Sequence, residues 1–203
     1  IISELKSMPN VIVKNRSQVF GYYDHNMLVM CERVSDHLPK TGKYIPKQRL
    51  WYIRAKEVVI TSGSIERPLV FGNNDTPGVM LSSAAKEYLK VYGVLVGKKP
   101  IVFTNNDSGY ETAIEFKKNG IDPVVLDTRK DPNSEIIKEA KDLNINIKSS
   151  YVVVAAKGYK KVNSADIAKI SDDKKNISNT ENIKCDCICV SGFWTPTIHL
   201  ASQ

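Results

Sequence analysis

No stretch of about 20 apolar residues occurs in the 203-residue chain, so no membrane-spanning helix is expected. None of the four cysteines forms a C-x-x-C pair, which excludes the dithiol pattern of thiol–disulfide exchange. No G-x-G-x-x-G run is present either, so the usual glycine cradle for a dinucleotide pyrophosphate is missing. The chain opens Ile-Ile-Ser-Glu without a basic-then-apolar leader, and no secretory signal is expected. Its first residue is not methionine, which suggests a piece of something longer. The formal charge is +7, but the lysines are scattered or sit in doublets such as Lys98-Lys99, Lys117-Lys118 and Lys160-Lys161. A nucleic-acid binder gathers its basic residues on one face among aromatics or arginines, so a solvated surface is the better reading.

What is present supports a real core. Hydrophobic residues make up 42% of the chain, and 203 residues suffice for one large domain or two small ones. Residues 49–68, RLWYIRAKEVVITSGSIERP, hold the organising stretch. Glu57-Val58-Val59-Ile60 reads as a short strand buried on both faces, and it ends in the small-residue turn Thr61, Ser62, Gly63 and Ser64. In an open α/β sheet, ligands sit beyond the carboxyl ends of strands, where such a turn lets backbone approach a cofactor. Cys185, Cys187 and Cys189 alternate, so one strand over residues 183–190 would point all three to one face as buried thiols. The competing reading, a metal site, suffers from spacing too short for paired zinc ligands. Reduced thiols fit an intracellular, cytoplasmic setting.

Taken in order, a helix tail precedes Pro9 and a strand starts at Val11-Ile12-Val13. Two antiparallel strands, residues 27–34 and 48–55, flank a Pro/Gly-rich loop and form an inserted β-meander. Ser82 or Ser83 caps a helix that Gly93 stops. Beyond it, PIVFT (100–104), a helix over 110–119, a strand over 123–126, a helix over 134–143 and a strand over 145–147 spell βαβαβ. A hairpin follows, and residues 171–182 form a hydrophilic loop or hairpin rather than a binding tail. If this unit bound a dinucleotide, the three glycine positions after PIVFT would hold Asn105, Asp107 and Tyr110. Asp127 stands where a ribose-binding acid is expected, but Asp107 would bring a Cβ and a negative charge against the pyrophosphate. The expected outcome is a Rossmann-like scaffold without a nucleotide.

Four segments, VFGYYDHN (19–26), the run from Arg49 to Leu81, VFTNNDSGYETA (102–113) and CDCICVSGFWTPTIHL (185–200), resemble the alpha subunit of heterotetrameric sarcosine oxidase and its relatives among amine and opine dehydrogenase subunits. The resemblance implies an α/β, Rossmann-like architecture with two dinucleotide-binding domains, akin to pyridine nucleotide-disulfide reductases. Residues 1–77 and 185–203 would be the remainder of a truncated first domain, and residues 78–184 the second. It further implies NAD in the first domain, touched by Gln18 and Val19, by Thr61, Ser62, Gly63 and Ser64, and by Ser191 and Gly192. Phe193 replaces a family glycine beside that cofactor. FAD, FMN and tetrahydrofolate would lie elsewhere in the complex, with a flavin-bearing beta subunit as chief partner. The complex would oxidatively demethylate sarcosine, and the isolated piece would be inactive. The alternative is a non-catalytic scaffold or subunit-assembly domain of a related amine or opine dehydrogenase.

Other residues admit two readings each. Asp24 and His25 are an acid–base pair or a turn held by local hydrogen bonds, the second being favoured. Glu66 and Arg67 are an ion pair at the domain crossing, or Arg67 meets a phosphate. Trp51 and Trp194 read as packing residues, and His199 as a strand or loop residue.

Overall fold

The computed structural model describes residues 1–202 and resolves into two compact units, Ile1–Gly63 with Pro196–Gln203, and Ser64–Thr195. The sequence reading set its divisions at 77/78 and 184/185. The reason for the difference lies in strand pairing, described below.

The first unit begins with the short helix α1 (Ile2–Ser7). Three antiparallel strands follow, β1 (Ser17–Tyr23), β2 (Met27–Arg33) and β3 (Gln48–Arg54), in the order β1-β2-β3. Register pairs Val29 with Tyr52 and Met30 with Trp51, and a bulge lies between Val19 and Gly21. The two strands expected for the meander are β2 and β3, and β1 adds a third to it. Two expected strands are absent. Val11-Ile12-Val13 and Glu57-Val58-Val59-Ile60 are irregular, and Val59 is exposed. A β-branched run becomes a strand only beside another strand, and the three strands of this unit pair with one another. Val29 and Met30 are the only hydrophobic side chains of this unit buried among the described residues.

The second unit starts with β4 (Ser64–Arg67) and β5 (Val79–Leu81), then α2 (Ser82–Tyr92), β6 (Pro100–Thr104), α3 (Ser108–Lys118), β7 (Val124–Asp127), α4 (Glu135–Asp142) and β8 (Asn146–Ser149). A meander of β9 (Tyr151–Lys157), β10 (Ser164–Lys169) and β11 (Glu181–Lys184) precedes β12 (Cys187–Ser191) and β13 (Phe193–Pro196). The parallel sheet runs β5-β12-β6-β7-β8, β9 to β11 form an antiparallel sheet, and β13 pairs with β4. β12 therefore lies in the middle of the parallel sheet, in register with β6 from Cys187 opposite Pro100 to Ser191 opposite Thr104. That pairing carries residues 185–195 into the second unit.

Period-two alternation builds two cores. Ile101, Phe103, Leu126, Ile188 and Val190 pack with Val153, Ala165 and Ile167 of the antiparallel sheet. Val102, Val125, Cys187 and Cys189 pack with Ala85 of α2, Tyr110, Ala113 and Phe116 of α3, and Ile137 and Ala140 of α4. The result is helices, parallel sheet and antiparallel sheet in three layers. The cysteines do not share one face: Cys185 joins the first core, while Cys187 and Cys189 join the second. One strand was expected over residues 183–190, but the chain leaves β11 at Lys184 and enters another sheet at Cys187, so the alternation is interrupted. Burial pushes the Cys185 thiol up to about 12, and the hydrogen bond with Cys187, together with burial, pushes Cys189 well above its ordinary value. No helix among the described residues is long and apolar enough to cross a membrane.

Candidate functional site

In the second unit the carboxyl ends of β6, β12 and β7 meet where an open α/β sheet takes its ligand. The sequence between β6 and α3, Asn105-Asn106-Asp107, has no glycine to bring bare backbone forward. The turn instead binds itself. The Asn106 carbonyl oxygen Oδ1 accepts from Ser108 N at 2.9 Å, so a helix N-terminal N–H already has an acceptor. Asn106 Nδ2 donates to Gly192 O at 2.6 Å, tying the β6 turn to the end of β12. The Ser108 and Ser191 hydroxyls lie 2.9 Å apart, and Trp194 Nε1 donates to Ser108 Oγ at 3.0 Å.

The acidic position is also taken. Asp127 is fully buried and accepts the Tyr110 hydroxyl at 2.8 Å and Arg129 Nη2 at 2.8 Å. Arg129 N donates to Asp127 Oδ1 at 2.8 Å, and Arg129 Nη1 reaches Asp107 Oδ1 at 2.8 Å. One guanidinium thus joins the turns after β6 and β7. Burial works against the Arg129 charge, yet the hydrogen bonds to Asp127 and Asp107 hold its titration above the ordinary arginine range. Burial and then the Asp127 hydrogen bond push Tyr110 far above its ordinary value, so it stays a neutral donor.

Dinucleotide recognition would need the helix N–H groups and the strand-end acid to face a ligand. Here a neutral amide occupies an N–H and a cation occupies the acid. The residues of this crevice do not fit a pyrophosphate. Gly109 still does one job of the fingerprint, because a Cβ there would stand 2.7 Å from Thr104, so it permits close packing of α3 on β6. Tyr110, at the third glycine position, is fully buried within that packing.

The first unit is more open. Thr61, Ser62 and Gly63 form an exposed turn in which Ser62 Oγ donates to Thr197 O and Gly63 O accepts from Thr197 N at 2.9 Å. Gly63 has φ +72 and nothing within 4 Å of a notional Cβ, leaving backbone approachable. Gln18 and Val19 lie on β1, and Gln18 borders a pocket of about 430 Å³ with Arg16, Arg33, Asp36 and His37. Among the described residues no hydrogen bond joins Gln18 or Val19 to the 61–63 turn. Ser64 begins β4, while Ser191 and Gly192 are engaged by Ser108 and Asn106 within the second unit.

The Asp24-His25-Asn26 turn follows the hydrogen-bonded reading. His25 and Asn26 both have positive φ, Tyr22 Oη donates to Asn26 Oδ1 at 2.7 Å, and Asn26 Nδ2 donates to Lys56 O at 2.9 Å. Glu66 and Arg67 do not pair: alternation turns them to opposite sides of β4. Glu66 accepts Ser83 N at 2.8 Å and the Ser83 hydroxyl, while Arg67 Nε meets Thr195 Oγ1 at 3.2 Å. A distant carboxylate, rather than Ser82 or Ser83 itself, therefore caps α2. Trp51 Nε1 donates to Glu32 Oε2 at 2.7 Å beneath the Lys14 ammonium, and Phe193 is exposed on β13. Sequence reasoning missed Asn106, Ser108, Arg129 and Trp194. An asparagine two residues before a helix-opening serine, and an arginine two residues past a strand-end aspartate, were the available signals.

No protein-family model matches the chain. By sequence it is similar to an internal part of sarcosine oxidase subunit alpha. The subunit from Rhizobium meliloti (strain 1021) is 38% identical over 199 residues, covering 98% of this chain and 19% of that protein. The subunit from Corynebacterium sp. (strain U-96) is 32% identical over 204 residues, covering 100% and 21%. The chain thus spans about a fifth of the length of these curated relatives. In structure it resembles T. acidophilum thioredoxin reductase, with TM-score 0.60, 14% identity, and coverage of 91% of this chain and 54% of that one. L-proline dehydrogenase from P. horikoshii gives TM-score 0.53 and 21% identity, covering 92% and 29%. The fold is the Rossmann-like one of pyridine nucleotide-disulfide oxidoreductases.

Proposed function

We propose that this chain supplies the dinucleotide-domain segment of an alpha subunit in a sarcosine oxidase-like flavoenzyme, and that only its first unit serves a cofactor. The likeness to the two alpha subunits over 98–100% of the chain supports the assignment. In that complex sarcosine is oxidatively demethylated, with FAD and FMN in or against a beta subunit and the one-carbon unit passed to tetrahydrofolate elsewhere. NAD bound to the first unit would supply nicotinamide redox chemistry. Gln18, Val19 and the backbone of Thr61, Ser62 and Gly63 would hold it, the open Gly63 position being the observation that fits. No catalytic side chain is assigned in these residues, and the cytoplasm is the expected setting.

The single observation that carries the division of labour is the Asn106–Gly192 and Arg129–Asp127 closure of the second crevice. The same closure favours a second reading, a scaffold unit without any nucleotide. Calorimetry with NAD and FAD, on the chain and on the longest polypeptide its gene encodes, separates them. NAD binding by the longer form, undiminished by Asn106→Ala, is expected. NAD binding that Asn106→Ala or Arg129→Ala abolishes in a still-folded protein would place the nucleotide in the second crevice and end the proposal. Binding by neither form would leave the scaffold.

A further inference from the structure

The second unit carries three lysine doublets, and the fold treats them differently. Lys117 and Lys118 are each neutralised, by Asp122 and Glu139. Lys98-Lys99 and Lys160-Lys161, far apart in sequence, are brought to one place. β5, β6 and β12 run parallel and begin at Val79, Pro100 and Cys187, so the residues just before them lie at one end of the sheet. Lys98-Lys99 precede β6, and Lys99 O accepts Asp186 N at 3.2 Å where the chain enters β12. The turn between β9 and β10 is tied to the same end: Val162 N donates to Pro77 O at 2.8 Å, and Cys185 N to Asn163 O at 3.3 Å. That turn carries Lys160-Lys161, and Lys184, the last residue of β11, joins them. All five lysines thus gather at the amino end of the parallel sheet, opposite the closed crevice.

The five are exposed, and none has a carboxylate within ion-pair distance among the described residues, whereas six other lysines of this unit do. The acids on the same segments are Asp75 and Asp186. The Asp186 carboxylate is already held by the backbone N–H groups of Lys98 and Lys99, at 2.8 and 2.7 Å. Asp166, farther along β10, is paired with Lys157. Residues 64–195 carry 19 lysines and arginines against 17 acids, an excess of only two, so five lysines facing two acids are a concentration at one end. The β9–β10 turn is also fixed in shape. Gly158 has φ +149, and a Cβ there would collide with Lys161 O. Within that turn Tyr159 is 95% exposed, while Val162 is fully buried.

A rigid turn that holds a tyrosine in solvent among lysines offers an anchor inside a positive field. The patch has no arginine and a single aromatic, which is not how nucleic acid is gripped. Compact ammonium groups instead steer a protein of opposite charge, and two copies meeting through this end would repel. We propose that the amino end of this parallel sheet docks an acidic face of another subunit, steered by Lys98, Lys99, Lys160, Lys161 and Lys184 and anchored by Tyr159. That the partner is a subunit rests on the alpha-subunit assignment above.

The test uses the full gene product and the flavin-bearing beta subunit of the same organism, with association followed by stopped-flow fluorescence at low and high salt. Lys98→Glu/Lys99→Glu/Lys160→Glu/Lys161→Glu is compared with arginine at the same four positions and with Lys138→Glu on α4, and melting curves confirm folding. The charge-reversed variant is expected to associate roughly 10- to 100-fold more slowly at low salt, the gap closing at high salt. The arginine version and Lys138→Glu should keep the wild-type rate, and Tyr159→Ala should speed dissociation alone. Wild-type association by the reversed variant at low salt overturns the docking surface and leaves the subunit assignment standing. Failure of the wild-type pair to associate overturns the assignment, and the subunit partner with it. Lysine acetylation read by mass spectrometry, if it spares these five in the free gene product, would show that the same polypeptide covers them and overturn the proposal. Binding of duplex DNA that the reversed variant loses, with subunit association kept, would give the patch to nucleic acid and overturn the acidic subunit.

Discussion

The two units share a chain but not a way of being stable. The second holds two buried cores on opposite faces of a parallel sheet, and its ligand crevice is closed by its own side chains. The first buries only Val29 and Met30 among its described hydrophobic residues, while Phe20, Leu50, Tyr52 and Val59 lie exposed. Its strand β3, QRLWYIR, is apolar on both faces, although a free-standing antiparallel sheet alternates apolar with polar. A three-stranded sheet needs a covered apolar face to stand alone. The lesson is that vacancy and incompleteness differ. The second unit has filled its crevice, whereas the first keeps an open turn and an exposed apolar surface.

The sharpest way to break this contrast is to separate the units. Residues 64–195 form one continuous piece and are expected to unfold cooperatively on their own. Residues 1–63 are expected to show no cooperative transition, because small domains with little buried area fall below the stability threshold. Urea denaturation followed by circular dichroism checks both. A cooperative transition for residues 1–63 would remove the distinction.

Within the second unit, the closed crevice should behave as internal structure. Arg129→Ala leaves Asp127 buried with the Tyr110 hydroxyl as its remaining side-chain partner. Removing one partner of a buried pair costs about 3–5 kcal/mol. Arg129 is itself a third exposed, and water screening lowers the expectation to roughly 2–4 kcal/mol. Adding Asp127→Asn should restore part of the loss, and a double-mutant cycle measures the coupling. Equal stability of wild type and Arg129→Ala would show that the guanidinium does not hold the turns together.

The cysteines sharpen the same point through pH. The Cys185 thiol is raised from an unfolded value of 9.0 to about 12, so folding favours its neutral form. Its contribution is complete below pH 9 and is lost as pH rises from 9 towards 12. The corresponding slope is about 1.4 kcal/mol per pH unit for one proton. Stability of residues 64–195 should therefore fall less steeply over this range in Cys185→Ala than in wild type. Parallel slopes would mean the thiol ionises equally in both states.

Much of the second unit was legible because its segments carry local signals. PIVFT is a strand over the same residues, Gly93 ends α2 in the left-handed region, and Asp127 ends β7. The turn's departure from the glycine fingerprint was legible, but what fills it was not. Asn106 reaches Gly192 across 86 residues and Arg129 reaches Asp107 across 22, and no periodicity encodes such contacts. The strand expected at residues 57–60 failed for a related reason: β propensity describes a neighbour's surface as much as the segment itself, and that neighbour is not among the strands of the first unit.

The smallest effect tests whether the second unit's order extends to its first strand. Glu66 is buried on β4, and its carboxylate accepts both Ser83 N and the Ser83 hydroxyl at the start of α2. Glu66→Gln keeps an acceptor of the same shape but removes the negative charge from the positive end of the helix. The expected cost is about 0.5–1 kcal/mol, the usual worth of a charge at a helix terminus. Thermal unfolding of residues 64–195 reads it directly, and high salt should change it little because Glu66 is shielded from solvent. A loss rivaling that of Arg129→Ala would mean that the β4–α2 tether, and not the crevice network, dominates the unit's stability.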